Sequence, residues 1–151
     1  TCMKITLQPS DSEALEVIIR GNLSDPQIPQ IIAALHAAKA TSCLFLYKKD
    51  KEYLCPVKDI SYFEAMDGKI IAFTKQGCME ARNKLYELAQ TLYHSGFVQI
   101  NKGTLLNVRQ AQSVQSEFSG NYIVTLQDGK TRLTISRKYF KAFRTYVEKE
   151  L

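Results

Sequence analysis

Two Asp-Gly pairs between apolar runs constrain the fold of this chain more than any other feature of the sequence. Asp67-Gly68 lies between Ile60–Ala65 and Ile70–Thr74. Asp128-Gly129, nearer the C-terminus, also lies between two apolar runs. Asp and Gly tolerate the positive φ angles that tight hairpin turns require. Each pair therefore predicts two antiparallel strands, and short apolar runs separated by turn residues continue from Thr41 onward. We expect a mainly β (α+β) fold with a few helices.

The first 41 residues have a different pattern from the rest of the chain. Residues 14–20 are rich in β-branched side chains and end before a Gly-Asn pair, which predicts a strand. Ser24 is the expected N-cap of a helix that extends to about Lys39. The predicted apolar face of this helix consists of Ile28, Ile31, Ile32 and Leu35.

A strand–helix unit of this size cannot bury its own apolar faces, so it must dock on another surface. We therefore divide the chain into an extension at 1–41, used for dimerisation or partner docking, and a folded domain at 42–151. Within the domain, the helical spacing of apolar residues predicts helices over about 82–94 and 137–148. Ser136 is the expected N-cap of the second of these helices.

The positive charge of the chain is concentrated in the folded domain. Residues 1–41 have a net charge of −1, whereas residues 42–151 carry 17 basic and 11 acidic groups. Between 82 and 144 there are ten basic groups and only three acidic ones. A concentrated positive field attracts polyanions, so nucleic acid or an anionic membrane surface is an expected partner. Charge alone does not choose between the two.

The sequence carries no motif for a metal, a cofactor or catalysis. None of the four cysteines forms a C-x-x-C pair, and the two histidines lie far from them. We therefore expect no zinc site and reduced, mostly buried thiols, with Cys55 and Cys78 in or near the core. His94 is expected at a helix end, where it complements the helix dipole in solvent. Phosphate-binding glycine loops and the H-E-x-x-H motif are absent, which argues against an enzyme.

The chain shows no targeting or membrane-spanning segment either. No apolar stretch approaches the roughly 18 residues that a membrane span requires. No basic region followed by an apolar core indicates a signal peptide. We expect the protein in the cytoplasm.

The order of segments after Thr41 resembles the LytTR-type DNA-binding domain of bacterial regulators. The matching stretches are, in order, Asp59–Lys69, Ala81–Leu88, Gly96–Asn107, Tyr122–Gly129 and Leu133–Tyr139. The resemblance implies small antiparallel sheets stacked into an elongated body, with loops that enter successive major grooves of double-stranded DNA. It also implies a sequence-specific transcription regulator. Signatures of helix-turn-helix, zinc-finger and RNA-recognition domains are absent, which agrees with reading by loops.

The resemblance implies particular DNA contacts as well. Base-contacting positions fall at or near Lys69, Lys102 and Arg137, with Asn101 beside them. The family often has His-Arg where this chain has Asn101-Lys102, and a lysine lacks the planar fork that reads guanine. Arg137 is therefore the expected base reader, and Lys102 mainly a phosphate contact. Further expected phosphate contacts are Arg109, Lys138, Lys141 and Arg144.

The N-terminal part is too short for a phosphoacceptor receiver domain. The chain instead resembles the short stand-alone members of the family, which are typically encoded beside a small membrane protein that restrains them. The expected partners are double-stranded DNA, a second copy of the chain on DNA, and such a membrane-bound inhibitor protein. Two alternatives remain open. One is a non-catalytic basic module that binds a protein partner or an anionic surface, and the other is a small enzyme on a β scaffold.

Overall fold

The computed structural model of the protein describes residues 3–11, 13 and 15–151. The helices in this part of the chain are α1 (Gln27–Lys39), α2 (Leu85–Thr91) and α3 (Arg137–Glu150). The strands are β1 (Cys43–Lys48), β2 (Lys51–Pro56), β3 (Ile60–Met66), β4 (Lys69–Thr74), β5 (Gly77–Ala81), β6 (Phe97–Asn101), β7 (Thr104–Asn107), β8 (Ala111–Ser116), β9 (Tyr122–Leu126) and β10 (Arg132–Ile135). No helix among the described residues is both long and apolar enough to cross a membrane.

The strands form two antiparallel sheets. The larger sheet has seven strands in the order β2-β1-β5-β4-β3-β7-β6, and the smaller has three in the order β10-β9-β8. Most strands that follow one another in the sequence are also paired in a sheet, as short turns between apolar runs predict. The expected mainly β architecture with a few helices is confirmed.

The two Asp-Gly pairs both form turns, but of different length. Asp67 and Gly68 have φ angles of 51° and 77°, and Met66 pairs directly with Lys69 across the β3–β4 hairpin. This is the two-residue turn that the sequence predicts. Between β9 and β10 the loop is longer. Within it the Asp128 carboxylate accepts hydrogen bonds from the Thr131 hydroxyl and from two backbone N–H groups. These bonds hold the pKa of Asp128 below its ordinary value.

Two hydrophobic cores share the strand β7. All four β7 residues are buried. Leu105 faces the first core, which the larger sheet forms with α2, and Leu106 faces the second, which lies under the smaller sheet and α3. Consecutive side chains on a strand point to opposite faces, so neighbouring residues of one strand can belong to different cores. The domain is therefore one body built around β7.

The amide of Asn107 closes the end of β7. Asn107 is only 2% exposed, its Nδ2 donates to the Ile60 carbonyl at 2.9 Å, and its Oδ1 accepts from the Arg109 N–H at 3.1 Å. A buried amide needs such partners to offset its desolvation. Its role is structural.

The helix α3 covers the second core. Phe143 and Tyr146 are buried, while Phe140 and Val147 are half-buried against them. The Tyr146 hydroxyl donates to the Tyr93 carbonyl, and burial together with the nearby Glu150 carboxylate raises the pKa of Tyr146 to about 12. The helical spacing of Phe140, Phe143 and Val147 in the sequence predicts this inner face, and the structure adds Tyr146 to it.

The strand predicted at residues 14–20 is wrong for the described part of that range. Residues 15–20 belong to no strand, and Ala14 lies outside the described residues. Val17 and Ile18 are 59% and 68% exposed. β-branched composition favours an extended backbone, but a strand also needs a partner for its backbone hydrogen bonds.

The helix predicted after this segment is present, with a different start and a narrower face. The Asp25 carboxylate, not Ser24, accepts from the N–H of Gln27 at the beginning of α1. Of the predicted apolar face, Ile32 is exposed; the half-buried members are Ile28, Ile31 and Leu35.

The expectation of mostly buried thiols is wrong for the described cysteines. Cys78 and Cys43 are exposed, and only Cys55 of the described cysteines is buried. Cys78 faces outward because its neighbour in β5, Met79, takes the inner face.

The strand β8 was not predicted from the sequence. Nearly all of its residues are exposed at the edge of the smaller sheet, so it has no apolar pattern.

Candidate nucleic-acid interface

Three turns of the domain meet at one edge through hydrogen bonds. The Ala65 N–H in β3 donates to the Gly103 carbonyl at 2.8 Å, and the Asn101 side-chain amide donates to the Thr134 carbonyl at 2.8 Å. The first bond joins the β3–β4 hairpin to the β6–β7 turn, and the second joins that turn to β10. We call the β3–β4 turn (66–69), the β6–β7 turn (101–103) and the β10–α3 junction (134–137) together the loop edge.

The β6–β7 turn is held rigid from within. Asn101 Oδ1 accepts from the Gly103 N–H at 2.9 Å, and the Gln99 amide donates to the carbonyls of Asn101 and Lys102 at 3.0 and 3.3 Å. Both ends of the Asn101 amide are thus bonded to backbone, while Lys102 at the tip is exposed. The turn presents one basic side chain to solvent.

The start of α3 is fixed by a residue from another loop. The Ser136 N–H donates to the Ile100 carbonyl at 2.9 Å, and the Arg137 N–H donates to Asn121 Oδ1 at 3.0 Å. Ser136 occupies the predicted N-cap position, but its side chain makes no capping bond. Asn121 fills that role from the β8–β9 loop. Local sequence rules could not find it, because they relate a cap only to its own helix.

The Arg137 side chain lies against Gly120. A Cβ atom added at Gly120 would lie 3.3 Å from both Cδ and Nη1 of Arg137, and the φ angle of Gly120 is +90°. Any other residue would be strained at this φ and would crowd the guanidinium. The β8–β9 loop therefore supports Arg137 twice, through the Asn121 side chain and through the Gly120 backbone.

The exposed face of α3 carries the remaining basic residues. Lys138, Lys141 and Arg144 are all exposed, and the first turn of the helix contains no acidic residue. Cations near a helix N-terminus oppose the helix dipole, and an external anion would relieve this. Arg144 is partly engaged by Glu148, with Nη2 and Oε1 4.0 Å apart.

Lys69 and Arg109 have partners in the protein. Lys69 is exposed in the loop edge, with its Nζ 3.9 Å from Oε2 of Glu80. Arg109 Nη1 donates to the Ser95 carbonyl at 3.0 Å. Ser95 lies shortly before the first residue of β6, whereas Asn101 is its last residue. The two ends of this strand are about 13 Å apart. The structure thus brings Lys69, Lys102 and Arg137 to one edge and leaves Arg109 away from it.

The family to which the chain belongs follows from a match that spans most of the folded domain. The family model described as the LytTr DNA-binding domain matches residues 50–148. This chain belongs to the LytTR DNA-binding domain family. The resemblance inferred from five short segments of the sequence is confirmed.

Individual proteins similar to this chain agree with the family. The chain is 24% identical over 99 residues to the transcriptional regulatory protein YpdB of Escherichia coli strain K12, and equally to that of Shigella flexneri. The match covers 66% of this chain but only 41% of those relatives. A solved LytTr DNA-binding domain from Bacillus cereus has the same fold, with a TM-score of 0.66 at 19% identity, covering 72% of this chain and 98% of that structure.

The LytTR match begins after α1. Residues 50–148 include all three turns of the loop edge and the basic face of α3, but not the N-terminal helix. The interface described above therefore lies within the residues that match the LytTR domain, and α1 lies outside them.

The cap of α3 generates a stability prediction. Asn121→Ala removes the acceptor for the Arg137 N–H and should lower the free energy of unfolding by about 1 kcal/mol. Ser136→Ala is the matched control, and we expect a change below about 0.5 kcal/mol, since its hydroxyl caps nothing. Urea denaturation of both variants measures the difference. Equal losses in the two variants would contradict the assignment of the cap to Asn121.

Proposed function

We propose that this protein is a sequence-specific DNA-binding regulator of transcription that reads major grooves with the loop edge. The observation that carries the proposal is the convergence of Lys69, Lys102 and Arg137, from three separate turns, on one edge of a LytTR domain. The YpdB relatives are named transcriptional regulatory proteins, and this supports the regulatory part of the proposal.

Arg137 is the base reader in this proposal. Its guanidinium rests on Gly120 and its backbone is fixed by Asn121, so little conformational freedom is lost on binding. A planar fork held in this way can donate two hydrogen bonds to O6 and N7 of guanine. Asn101 acts as a positioning residue, because its amide already joins the β6–β7 turn to β10.

The remaining basic residues of the interface bind mainly the DNA backbone. Lys102 lies at the tip of its turn, and Lys138 and Lys141 continue the positive charge along α3. Lys69 must leave Glu80 to reach DNA. The predicted phosphate contact of Arg109 is not part of the proposal, because its guanidinium is bonded to the Ser95 carbonyl. Arg144 is a peripheral contact that competes with Glu148.

The cellular setting follows from the same reasoning. We infer a bacterial, cytoplasmic protein without catalytic activity, since a regulator of transcription acts where the DNA is. The named relatives come from bacteria, and the matched family model describes a DNA-binding domain. A basic module that binds any polyanion is the competing function, and it differs from the proposal in showing no base preference.

Base reading by Arg137 is tested on a DNA duplex that the protein itself selects from a pool of random sequences. Arg137→Ala should weaken the free energy of binding to the selected site by about 1–3 kcal/mol and relax the base preference at one base pair. Arg137→Lys should not restore that preference, because a lysine lacks the fork. Affinities for the selected duplex and its single-base variants give the measurement. A uniform loss over all duplexes would make Arg137 a backbone contact, and equal binding to all duplexes by the unmodified protein would favour the polyanion module.

The phosphate contact of Lys141 is tested by salt dependence. Lys141→Ala should reduce the slope of log affinity against log salt by about 0.9, equally on selected and random DNA. Lys149→Ala removes the same charge two turns further along α3, and its slope should stay unchanged. Fluorescence anisotropy at several salt concentrations measures both slopes. Identical slopes for the two variants would exclude the proposed contact.

We also propose that the N-terminal extension joins two copies of the chain on DNA. Seven large apolar residues between 3 and 23 are each at least 59% exposed, which favours an interaction surface. These seven residues are Met3, Ile5, Leu7, Leu15, Val17, Ile18 and Leu23. A small membrane-bound inhibitor protein would act by occupying the same surface.

Dimerisation is tested by sedimentation equilibrium. The double variant Val17→Asp and Ile18→Asp should weaken self-association by about tenfold or more, because it introduces charge into the apolar contact. Leu54→Asp alters an equally exposed apolar residue on β2 and should leave the association unchanged. A monomeric unmodified protein, with and without DNA, would contradict the proposal.

A further inference from the structure

Two histidines and a glutamate meet where the N-terminal helix contacts the domain. His36 lies on α1, His94 lies in a 3-10 turn after α2, and Glu150 is the last residue of α3. The Nδ1 atoms of His36 and His94 lie 3.6 and 3.5 Å from the same Glu150 oxygen, Oε2. One ligand atom from each residue lies within 4.8 Å of the others. Segments distant in sequence thus bring three metal-ligating side chains together.

These contacts do not satisfy the three side chains as hydrogen bonds. Nδ1 of His94 is buried and has no hydrogen-bond partner, and the Glu150 side chain is only 5% exposed. The sequence predicts a solvated His94, so the burial of its Nδ1 is a correction. N–H···O hydrogen bonds have lengths of about 2.7–3.2 Å, shorter than both histidine–glutamate distances. A buried ring nitrogen without a partner is costly, and a cation between it and the nearly buried Glu150 carboxylate would offset that cost.

We propose that His36, His94 and Glu150 form a binding site for a divalent transition metal, best matched by Zn²⁺, that fastens α1 to the LytTR domain. Zn–N and Zn–O bonds of about 2.0–2.1 Å in a tetrahedron place neighbouring ligand atoms about 3.4 Å apart. The two histidine–glutamate distances are within a few tenths of an ångström of this value. Imidazole and carboxylate ligands suit zinc, and a water molecule completes the fourth position.

The surroundings of the site favour a fixed arrangement of the ligands. The Tyr93 ring meets the His94 ring edge-on at 5.0 Å, and the two histidine rings are 4.8 Å apart. The 3-10 turn that carries His94 is tied to the end of the N-terminal extension, since the Ser95 hydroxyl and the Thr41 backbone exchange hydrogen bonds of 2.9 and 3.0 Å. Supporting contacts of this kind orient metal ligands.

The metal would strengthen an attachment of α1 that is otherwise weak. No residue of α1 is buried, and its inner side chains Ile28, Ile31 and Leu35 are only half-buried. Apolar burial of this extent contributes little to docking. A metal held by residues from three distant segments cross-links them and couples metal binding to the docking of the helix. Zinc therefore controls whether the N-terminal extension is docked or released.

The test uses the full chain without a histidine tag and with its thiols reduced. Titration with Zn²⁺ should show one equivalent bound, and Co²⁺ should give visible absorption bands without the near-ultraviolet band of thiolate coordination. His36→Ala, His94→Ala and Glu150→Gln should each weaken binding by about tenfold or more. Glu148→Gln, an exposed carboxyl on the same helix, is the control and should bind as the unmodified chain does.

Amide hydrogen exchange separates this site from binding elsewhere. Zn²⁺ should slow exchange in residues 27–39 of the unmodified chain, and this protection should be lost in Glu150→Gln. Circular dichroism verifies that each variant is folded, because loss of the fold would also remove the site. The proposal is overturned if the folded chain binds no metal, if the histidine variants bind as tightly as the unmodified chain, or if Co²⁺ shows thiolate coordination by cysteines.

Discussion

The burial of both faces of β7 is the constraint on which the rest of the structure depends. Leu105 and Leu106 are adjacent in the chain, yet each is fully buried in a different core. Because the side chains of a strand alternate, this short segment joins the larger sheet with α2 to the smaller sheet with α3. The Asn107 amide then closes the strand with two hydrogen bonds. A shift of one residue in the β7 register would exchange the two cores and disrupt both.

The candidate interface is rigid because its turns are attached to β7 and to the strands packed around it. The β6–β7 turn lies directly before β7, and the Asn101 amide connects that turn to β10. Its Lys102 tip, the β3–β4 turn and the start of α3 are therefore fixed relative to one another by backbone hydrogen bonds. Basic side chains on turns fixed in this way can contact a DNA duplex without the turns first having to become ordered. This lowers the conformational entropy lost on binding.

The N-terminal extension contrasts with this rigid body. Its helix has no buried residue, and the segment before it exposes most of its large apolar side chains. Its polar contacts with the domain are the hydrogen bonds of Thr41 and the cluster of His36, His94 and Glu150, and its apolar side chains are at most half-buried. A segment held in this way can exchange between docked and free states at small cost.

The sequence by itself determined the elements whose signals are local. The Asp67-Gly68 turn and the inner face of α3 could be predicted, because each depends on residues close together in the chain. The family could be predicted because each of its five segments is short and their order is read directly from the sequence. Only the tertiary structure decided which distant groups meet. Asn121 capping α3, Gly120 under Arg137, and Glu150 beside the histidines depend on how the sheets pack, and no periodicity records them. The strand predicted before α1 failed for the same reason, since β-branched residues form a strand only where the fold supplies a partner.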